Sequence, residues 1–233
     1  MRIGVLSDIH SNLAALECTF SYFDSKKVDE VFCLGDTVGY GPFPNECIEI
    51  LRSRKTTVIA GNHDWGAIKK IPLKNFNKMG QKTLRWTQKV ITDVNLDFLI
   101  GLPLKIIKHN ITFVHAEPNN PEQWIYIISN EDVKEAFSGF TTPVCFIGHT
   151  HIASVVNEDL VGRKLHRKTR SLINIGSVGQ PRDSNPKTSF GILDINNWTY
   201  ELVRLDYDIQ KTIDGIKKNG LPSILARRLT YGM

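Results

Sequence analysis

The stretch Pro143-Val144-Cys145-Phe146-Ile147-Gly148-His149-Thr150-His151 is a short apolar run that ends in two histidines. Four other apolar runs also end in residue types that bind metals in proteins. These residues are Asp8 and His10 after residues 3–7, Asp36 after residues 30–35, Asn62, His63 and Asp64 after residues 57–61, and His115 after residues 111–114. Each run has the length and composition of a strand. Because the carboxyl ends of strands in an open α/β sheet meet in one crevice, we expect these polar side chains to lie together.

The spacing within two of these groups predicts paired ligands. In an extended strand, side chains two residues apart point to the same face. We therefore expect Asp8 with His10, and His149 with His151, to form two pairs on extended backbone. A single Asp after a strand is more often a turn or cap residue, and a single His is more often an interior residue. Five strand ends in succession favour a shared metal site instead.

The ligand set combines nitrogen and oxygen without thiolate, and it holds too many groups for one tetrahedral ion. This argues against structural zinc and favours two ions such as Mn²⁺, Fe or Zn²⁺. Two such ions, about 3.5–4 Å apart, clamp the attacking and leaving oxygens of an in-line displacement at phosphorus. The sequence therefore predicts a phosphate-ester substrate.

The composition is that of a globular protein with one large core. The chain has 233 residues, of which 41% are hydrophobic and 23% charged, and its net charge of +5 weakly favours anionic partners. No run approaches the roughly 18 apolar residues of a membrane span, and the first residues lack a signal-peptide region. We expect a cytoplasmic protein without membrane contact, whose four cysteines are buried and reduced: Cys18, Cys33, Cys47 and Cys145.

Strand and helix patterns alternate in the first half, as in βαβ units. A strand at 2–7 precedes a helix that Ser11 or Asn12 can cap and whose apolar face is Leu13, Leu16, Phe20 and Phe23. We expect a second helix near 45–55 and a helical insertion at about 66–104 that covers the sheet or forms a partial lid. Hairpin strands at 153–156, 171–175, 189–195 and 199–205 are expected to make a second sheet. A helix at 207–228, interrupted at 220–222, is expected to lie on that sheet. Residues 1–233 are expected to form one domain.

The motifs, taken in order, resemble the calcineurin-like metallophosphoesterase superfamily. They are Asp8-Ile-His10, Gly35-Asp36, Gly61-Asn62-His63-Asp64, Val114-His115 and Gly148-His149-Thr150-His151. Three further segments resemble its small prokaryotic phosphodiesterase branch, namely 35–42, 174–183 and 220–222. The resemblance implies an α/β fold, a four-layer αββα sandwich of two mixed β-sheets flanked by helices.

The resemblance also implies roles for single residues. Asp8, His10, Asp36 and His151 would hold one divalent ion, and Asp36, Asn62, His115 and His149 the other. Mn²⁺ is the expected metal, with Fe, Zn²⁺, Ni²⁺, Co²⁺ and Mg²⁺ as alternatives. A hydroxide bridging the ions would attack phosphorus in line, and His63, which is not a ligand in the family, would act as the general acid. Asp64 could orient His63.

Two adjacent positions depart from the protein phosphatase branch, which carries a second Asp and an Arg where Gly39 and Tyr40 stand here. The departure argues against protein phosphatase activity and requires another phosphate-binding cation. Arg182 is the candidate, because a guanidinium can bind two phosphate oxygens at once. The alternative is that Arg182 pairs with Asp183 to hold a turn. Asn12, by its place after the first motif, is a helix cap rather than a substrate contact.

The expected function is hydrolysis of phosphodiesters, phosphomonoesters or both, on a small substrate. A dinucleoside polyphosphate hydrolase, a protein phosphatase-like enzyme and a non-catalytic interaction scaffold are the alternatives, and the presence of His63 argues against the scaffold. The basic run 162–170 lacks the aromatic residues that stack nucleic-acid bases. It is therefore expected to be a solvated turn, nucleic acid is not the expected partner, and a homo-oligomer stays open.

Overall fold

The computed structural model describes residues 1–160 and 164–233, and in these residues ten strands form two mixed five-stranded sheets. The first sheet has the order β10-β9-β1-β2-β3 and the second β4-β5-β6-β8-β7. The strands are β1 (Arg2–Leu6), β2 (Glu30–Cys33), β3 (Thr57–Val58), β4 (Lys105–Lys108), β5 (Ile111–Val114), β6 (Val144–Ile147), β7 (Ala153–Asn157), β8 (Ser171–Ile175), β9 (Thr188–Asp194) and β10 (Thr199–Leu205). β1 is parallel to β2 and antiparallel to β9, and β6 lies parallel between β5 and β8.

The two sheets pack face to face through an apolar layer. Phe32 of the first sheet stacks on Phe113 of the second with ring centroids 4.1 Å apart, and Phe146 continues the stack at 5.8 Å. Ile3 and Val5, which alternate with Gly4 along β1, join this layer and are fully buried. The alternation places every second side chain between the sheets, as the period of a strand requires.

Helices cover the two outer faces. The described residues form eight α-helices: α1 (Leu13–Ser25), α2 (Pro44–Ser53), α3 (Asn62–Ala67), α4 (Lys78–Val90), α5 (Asp93–Ile100), α6 (Asn130–Ala136), α7 (Ile209–Lys218) and α8 (Ser223–Tyr231). Leu16 and Phe20 of α1 and Leu51 of α2 pack on the first sheet, while Val133 and Ala136 of α6 pack on the second. This confirms the predicted four-layer αββα arrangement. As predicted, Asn12 caps α1 by accepting a hydrogen bond from the Ala15 N–H at 3.2 Å.

The predicted helical insertion lies between β3 and β4. It consists of α3, α4 and α5, whose buried residues Ala67, Leu84 and Leu99 pack with Val38 of the β2–α2 loop. The insertion therefore covers the loop that carries Asp36. Two elements lacked a sequence prediction, the short edge strand β4 and α6, which begins with a capping box between Ser129 and Asp132.

The predicted placement of the C-terminal hairpins and helices is wrong. The four late strands do not make a sheet of their own, because β9 pairs with β1 and brings β10 into the first sheet, whereas β7 and β8 extend the second. α7 and α8 do not lie on a sheet face. α1 already covers that face, and the buried residues Ile216, Leu225 and Leu229 pack instead against Tyr40.

Three smaller expectations have mixed outcomes. Cys33, Cys47 and Cys145 are buried free thiols, but Cys18 is only half-buried, because it lies at the border of the buried face of α1, next to the exposed Glu17. Gly162 and Arg163 of the basic run lie outside the described residues. Arg170, at the end of that run, pairs with Glu158 and donates to the carbonyl of Phe137 at 2.8 Å.

Among the described residues, no helix is long and apolar enough to cross a membrane.

Candidate metal centre

The first group of candidate ligands gathers in the loops that follow β1 and β6. The Nε2 atoms of His10 and His151 lie 3.1 Å apart, and the Oδ1 atom of Asp8 lies 3.2 Å from Nε2 of His151. The backbone N–H of His149 donates to Oδ2 of Asp8 at 3.0 Å, which joins the two loops. All three side chains are buried. Their ligand atoms therefore converge on one small volume at the edge of both sheets.

The second group lies beside the first and shares Asp36 with it. Nε2 of His115 lies 3.2 Å from Nδ1 of His149 and 3.5 Å from Oδ2 of Asp36. The same Oδ2 atom lies 3.6 Å from Nε2 of His10, while Oδ1 accepts the backbone N–H of His63 at 2.7 Å. One carboxylate oxygen of Asp36 thus lies between the two groups.

Backbone carbonyls orient all four imidazoles. Nδ1 of His10, His115 and His151 lies 3.1, 2.7 and 2.5 Å from the carbonyls of Val38, Leu34 and Gln180, and Nε2 of His149 lies 2.9 Å from that of Trp124. A carbonyl accepts only from an N–H, so that nitrogen is the donor, and in a neutral ring the other nitrogen carries the lone pair that can bind a metal. Such outer contacts are typical of metal-ligating histidines.

The predicted extended backbone at the paired ligands is wrong. β1 ends at Leu6 and β6 at Ile147, so both pairs lie in loops. Five candidate ligands have positive φ angles between 48° and 66°: Asp8, His10, Asp36, His149 and His151. Such non-glycine residues cost free energy and cluster at functional sites. The turns, rather than the pleat of a strand, aim these side chains.

Two buried oxygens in the centre lack a hydrogen-bond partner within the described part of the chain. They are Oδ1 of Asp8 and Oδ1 of Asn62. A buried polar atom left unpaired costs roughly 1–3 kcal/mol, so such atoms point to an absent partner. Oxygen and imidazole donors together suit divalent transition ions. The residues present fit a metal site.

The charges of the centre favour cation binding. Burial alone would raise the pKa of Asp36, but the His115 and His63 imidazoles hold it well below its usual range. Burial lowers the pKa of His149 to about 3, which leaves the neutral ring that binds metals. His115 differs, because the carboxylates of Asp36 and Asp8 outweigh burial and raise its pKa to about 9. A metal ion binding between these groups would displace that proton.

His63 lies next to both groups without a partner on Nδ1 in the described residues. Ligand atoms of His63, His10 and Asp36 lie within 4.8 Å of one another, so distance alone does not separate a ligand role from a proton-transfer role. The ring packs against Tyr40 at 4.5 Å and Phe76 at 5.1 Å. Burial lowers the pKa of His63 to about 4.

Gly39 makes room for the His63 ring. Its φ is +91°, and a Cβ atom there would overlap Nδ1 of His63. The second Asp of the protein phosphatase branch therefore has no place at this position. Asp64 accepts from the backbone N–H groups of Val38 and Gly61 at 3.2 and 2.9 Å, and so binds two loops rather than the neighbouring ring.

Arg182 lies at the edge of the centre, and Asp183 is not its partner. Asp183 pairs with Arg204 instead. The guanidinium of Arg182 lies over the Tyr40 ring at 5.8 Å and donates to Oε1 of Gln180 at 3.2 Å, while its buried Nε has no partner in the described residues. Of the two interpretations of Arg182, the turn-holding pair is thus wrong, and a cation is left beside the metal-ligand groups.

Trp124 and Tyr126 are part of the centre without any sequence signal to predict it. Tyr126 stacks on the His149 ring with centroids 4.0 Å apart, and Trp124 supplies the carbonyl that orients the same ring. Trp124 has a left-handed φ of 54°, which is uncommon for a residue other than glycine and cannot be predicted from the sequence around it.

An αββα sandwich with buried Asp and His side chains gathered at its strand ends is typical of metal-dependent phosphoesterases. The chain belongs to the calcineurin-like phosphoesterase superfamily, whose family model matches residues 1–198. The resemblance of the motifs is thereby confirmed.

Three known proteins are similar to this chain over nearly its whole length. The uncharacterized protein MJ0912 of Methanocaldococcus jannaschii is 43% identical, with 99% of this chain and 98% of that protein covered. The crystal structure of a metallophosphoesterase from Sphaerobacter thermophilus is 36% identical with a TM-score of 0.89, covering 100% of this chain and 99% of that one. The hypothetical protein PH1004 from Pyrococcus horikoshii OT3 has a TM-score of 0.82 at 20% identity over 100% and 98% of the two chains, which shows a shared fold.

Proposed function

We propose that this protein hydrolyses small phosphodiesters or phosphomonoesters with two divalent metal ions, for which Mn²⁺ is the expected metal. The observation that carries the proposal is the pair of buried ligand groups that share Oδ2 of Asp36. A single carboxylate oxygen between two sets of imidazoles supports the binding of two neighbouring ions.

Each ion is assigned four residues. Asp8, His10, Asp36 and His151 would hold one ion, and Asp36, Asn62, His115 and His149 the other. The Oδ1 atoms of Asp8 and Asn62 support the assignment, because each is a buried ligand atom without a hydrogen bond in the described residues. When bound, such ions lower the pKa of a coordinated water and neutralise charge on the phosphate.

Arg182 and His63 would act on the substrate itself. The Arg182 guanidinium is proposed to hold phosphate oxygens, since it lies beside the centre without a carboxylate partner in the described residues. The imidazole of His63 is proposed to give its proton to the leaving oxygen. An anionic phosphate beside this ring favours the protonated form that an acid needs and opposes the effect of burial.

Metal content and activity together test the proposal. The purified protein is stripped with a chelator and reloaded with Mn²⁺, and bound metal is counted while hydrolysis of bis(p-nitrophenyl) phosphate and p-nitrophenyl phosphate is followed. We expect two ions per chain and activity that returns with them. Asp36→Asn should lose both ions and the activity, while Asp214→Asn, a control on the exposed face of α7, should lose neither. An Asp36→Asn protein with two tightly bound ions and full turnover would overturn the assignment.

A further inference from the structure

A cleft of about 240 Å³ opens beside the metal-ligand groups. His63 and Asn62 lie at its inner end, and His149 borders it. Four aromatic side chains form its walls: Tyr40, Phe76, Trp124 and Tyr126. We call this the aromatic cleft. It belongs to the same site as the candidate ligands but extends beyond them.

The chemistry of the walls suits a planar, uncharged group. Among the described residues that line the aromatic cleft there is no Asp, Glu, Lys or Arg. Rings of this kind stack on planar ligands. Asn75 and Gln123 add carboxamides at the rim, where both residues are exposed. The cleft thus offers stacking faces together with hydrogen-bonding groups for the edge of a ring.

The size of the cleft limits the group to one ring system with its sugar. Drug-sized ligands occupy pockets of about 300–1,000 Å³, and this cleft is smaller than the lower end of that range. A folded peptide or a second large substituent does not fit within it. A single nucleoside has the appropriate scale.

The position of His63 indicates that the cleft binds the leaving group of the substrate. His63 is both the proposed acid and a residue of the cleft, so a group bound there is attached to the oxygen that His63 protonates. Arg182 does not line the cleft but lies near two of its walls, with its guanidinium 5.8 Å from the Tyr40 ring and in contact with the Tyr126 side chain, where it can face the phosphate. The charged and the planar parts of a substrate would then lie in separate, adjoining places.

We infer that the aromatic cleft binds the leaving group of the substrate and that this group is a nucleoside, an inference that rests on the proposed function. Water adds to phosphorus and loses a proton to solvent, the bond from phosphorus to O5′ of the nucleoside breaks, and O5′ takes a proton from His63, which solvent then replaces. The products are the free nucleoside and the phosphate or phosphate monoester.

Matched substrates test the inference. AMP and UMP each share the reacting phosphate and the leaving oxygen with ribose 5-phosphate and differ from it by the base. The methyl phosphodiesters of the same three compounds form a second matched set. With the Mn²⁺-loaded protein, we expect kcat/KM for at least one nucleotide to exceed that for the ribose compound by about tenfold or more, the usual scale of one stacking contact.

Variants of the cleft should reduce that ratio. Phe76→Ala removes one wall and should bring the ratio towards one. Because Phe76 is partly buried and its loss can unfold the protein, the double variant Asn75→Ala/Gln123→Ala changes two exposed side chains and should lower the ratio as well. Tyr231→Ala, an exposed aromatic residue on α8 outside the cleft, is the matched control and should keep the wild-type ratio.

Binding of the free nucleosides separates the two proposals. Calorimetric titration with adenosine and uridine needs no turnover, and at least one should bind the wild-type protein and bind Phe76→Ala several-fold more weakly. Equal kcat/KM for nucleotide and ribose substrates, with both hydrolysed, would overturn the inference and leave the proposed function standing. Nucleoside binding without hydrolysis of any ester would remove the proposed function and keep the cleft. Neither binding nor base preference would overturn the cleft assignment.

Discussion

The four candidate ligand histidines are oriented by contacts with main-chain carbonyls. Each candidate ligand histidine uses one ring nitrogen to contact a main-chain carbonyl, which fixes the other nitrogen toward the centre. His63 lacks such a contact on Nδ1 in the described residues, and the space for its ring exists because residue 39 has no side chain. The difference separates His63 from the four oriented rings.

His63→Ala should retain both ions and slow turnover. A general acid contributes about 10²–10⁴-fold to rate, and the loss should be largest for an alkyl ester and smallest for p-nitrophenyl esters, whose leaving oxygen needs no proton. The measurement is kcat for the two ester types with metal content determined on the same samples. Loss of an ion in this variant would instead make His63 a ligand, and equal rates on the alkyl ester would remove its role as an acid.

Gly39→Ala should reduce both stability and activity. The positive φ alone costs an alanine about 1–2 kcal/mol, and the new Cβ would also displace the His63 ring. Gly220→Ala is a matched control, because Gly220 has a φ of +63° and open space around its Cβ position. Thermal unfolding should show a fall of at least about 2–4 °C for both variants, with a further fall and a loss of turnover for Gly39→Ala alone. Similar behaviour of the two variants would contradict the packing argument.

At the scale of elements, Asn12 joins three parts of the fold next to the centre. Its Oδ1 caps α1 and accepts from Oγ1 of Thr212 in α7 at 2.7 Å, while its Nδ2 donates to the Gly179 carbonyl at 2.9 Å. Gly179 precedes the Gln180 carbonyl that orients His151. The carboxamide of Asn12 therefore connects the start of α1, the loop at Gly179 and α7 through buried hydrogen bonds.

Asn12→Ala should lower stability by more than the loss of a cap. A lost cap costs about 1 kcal/mol, and the buried partners left unpaired add roughly 1–3 kcal/mol each. Thr92→Ala is the matched control, because Thr92 caps α5 through the Asn95 N–H without a comparable buried network. Urea unfolding should show a clearly larger loss for Asn12→Ala. Equal losses would mean that Asn12 serves as a cap alone.

The sequence was sufficient to predict the strand ends but not the sheet to which each strand belongs. The runs that carry Asp8, Asp36, His115 and His149 are local patterns, and each strand ends within three residues of its ligand. The pairing of β9 with β1 joins residues nearly two hundred positions apart, which no local pattern encodes. The left-handed turns at Asp8 and His151 were missed for a related reason, because neither residue is a glycine and tertiary contacts impose the conformation.

At the scale of the whole molecule, both ligand groups take residues from both sheets. Asp8, His10 and Asp36 follow strands of the first sheet, and His115, His149 and His151 follow strands of the second. An ion in either group would therefore contact both halves of the sandwich. The free energy of binding that ion would then stabilise the packing of the two sheets against each other as well as the ligand loops.

Metal loading should therefore raise the unfolding temperature of the protein. An ion at a hundred times its dissociation constant stabilises the folded state by about 2.7 kcal/mol, and a chain of this length gains about 2–4 °C for each kcal/mol. Differential scanning calorimetry should show an upward shift with Mn²⁺ that a chelator reverses. His109→Ala, which changes an exposed histidine paired with Glu30, should keep the shift, and Asp36→Asn should lose it. An unchanged unfolding temperature in the wild-type protein would contradict tight binding.

The order of the strands also has a consequence for synthesis on the ribosome. β1, which carries the first ligand loop, has β2 on one side, but its other neighbour, β9, begins at Thr188. The ligands span positions 8 to 151, so neither metal group is complete until the loop after β6 has left the exit tunnel. The loops that carry Asp8, His10 and Asp36 therefore lack their partner ligands through much of translation. A cation could therefore bind the complete set of ligands only late in synthesis.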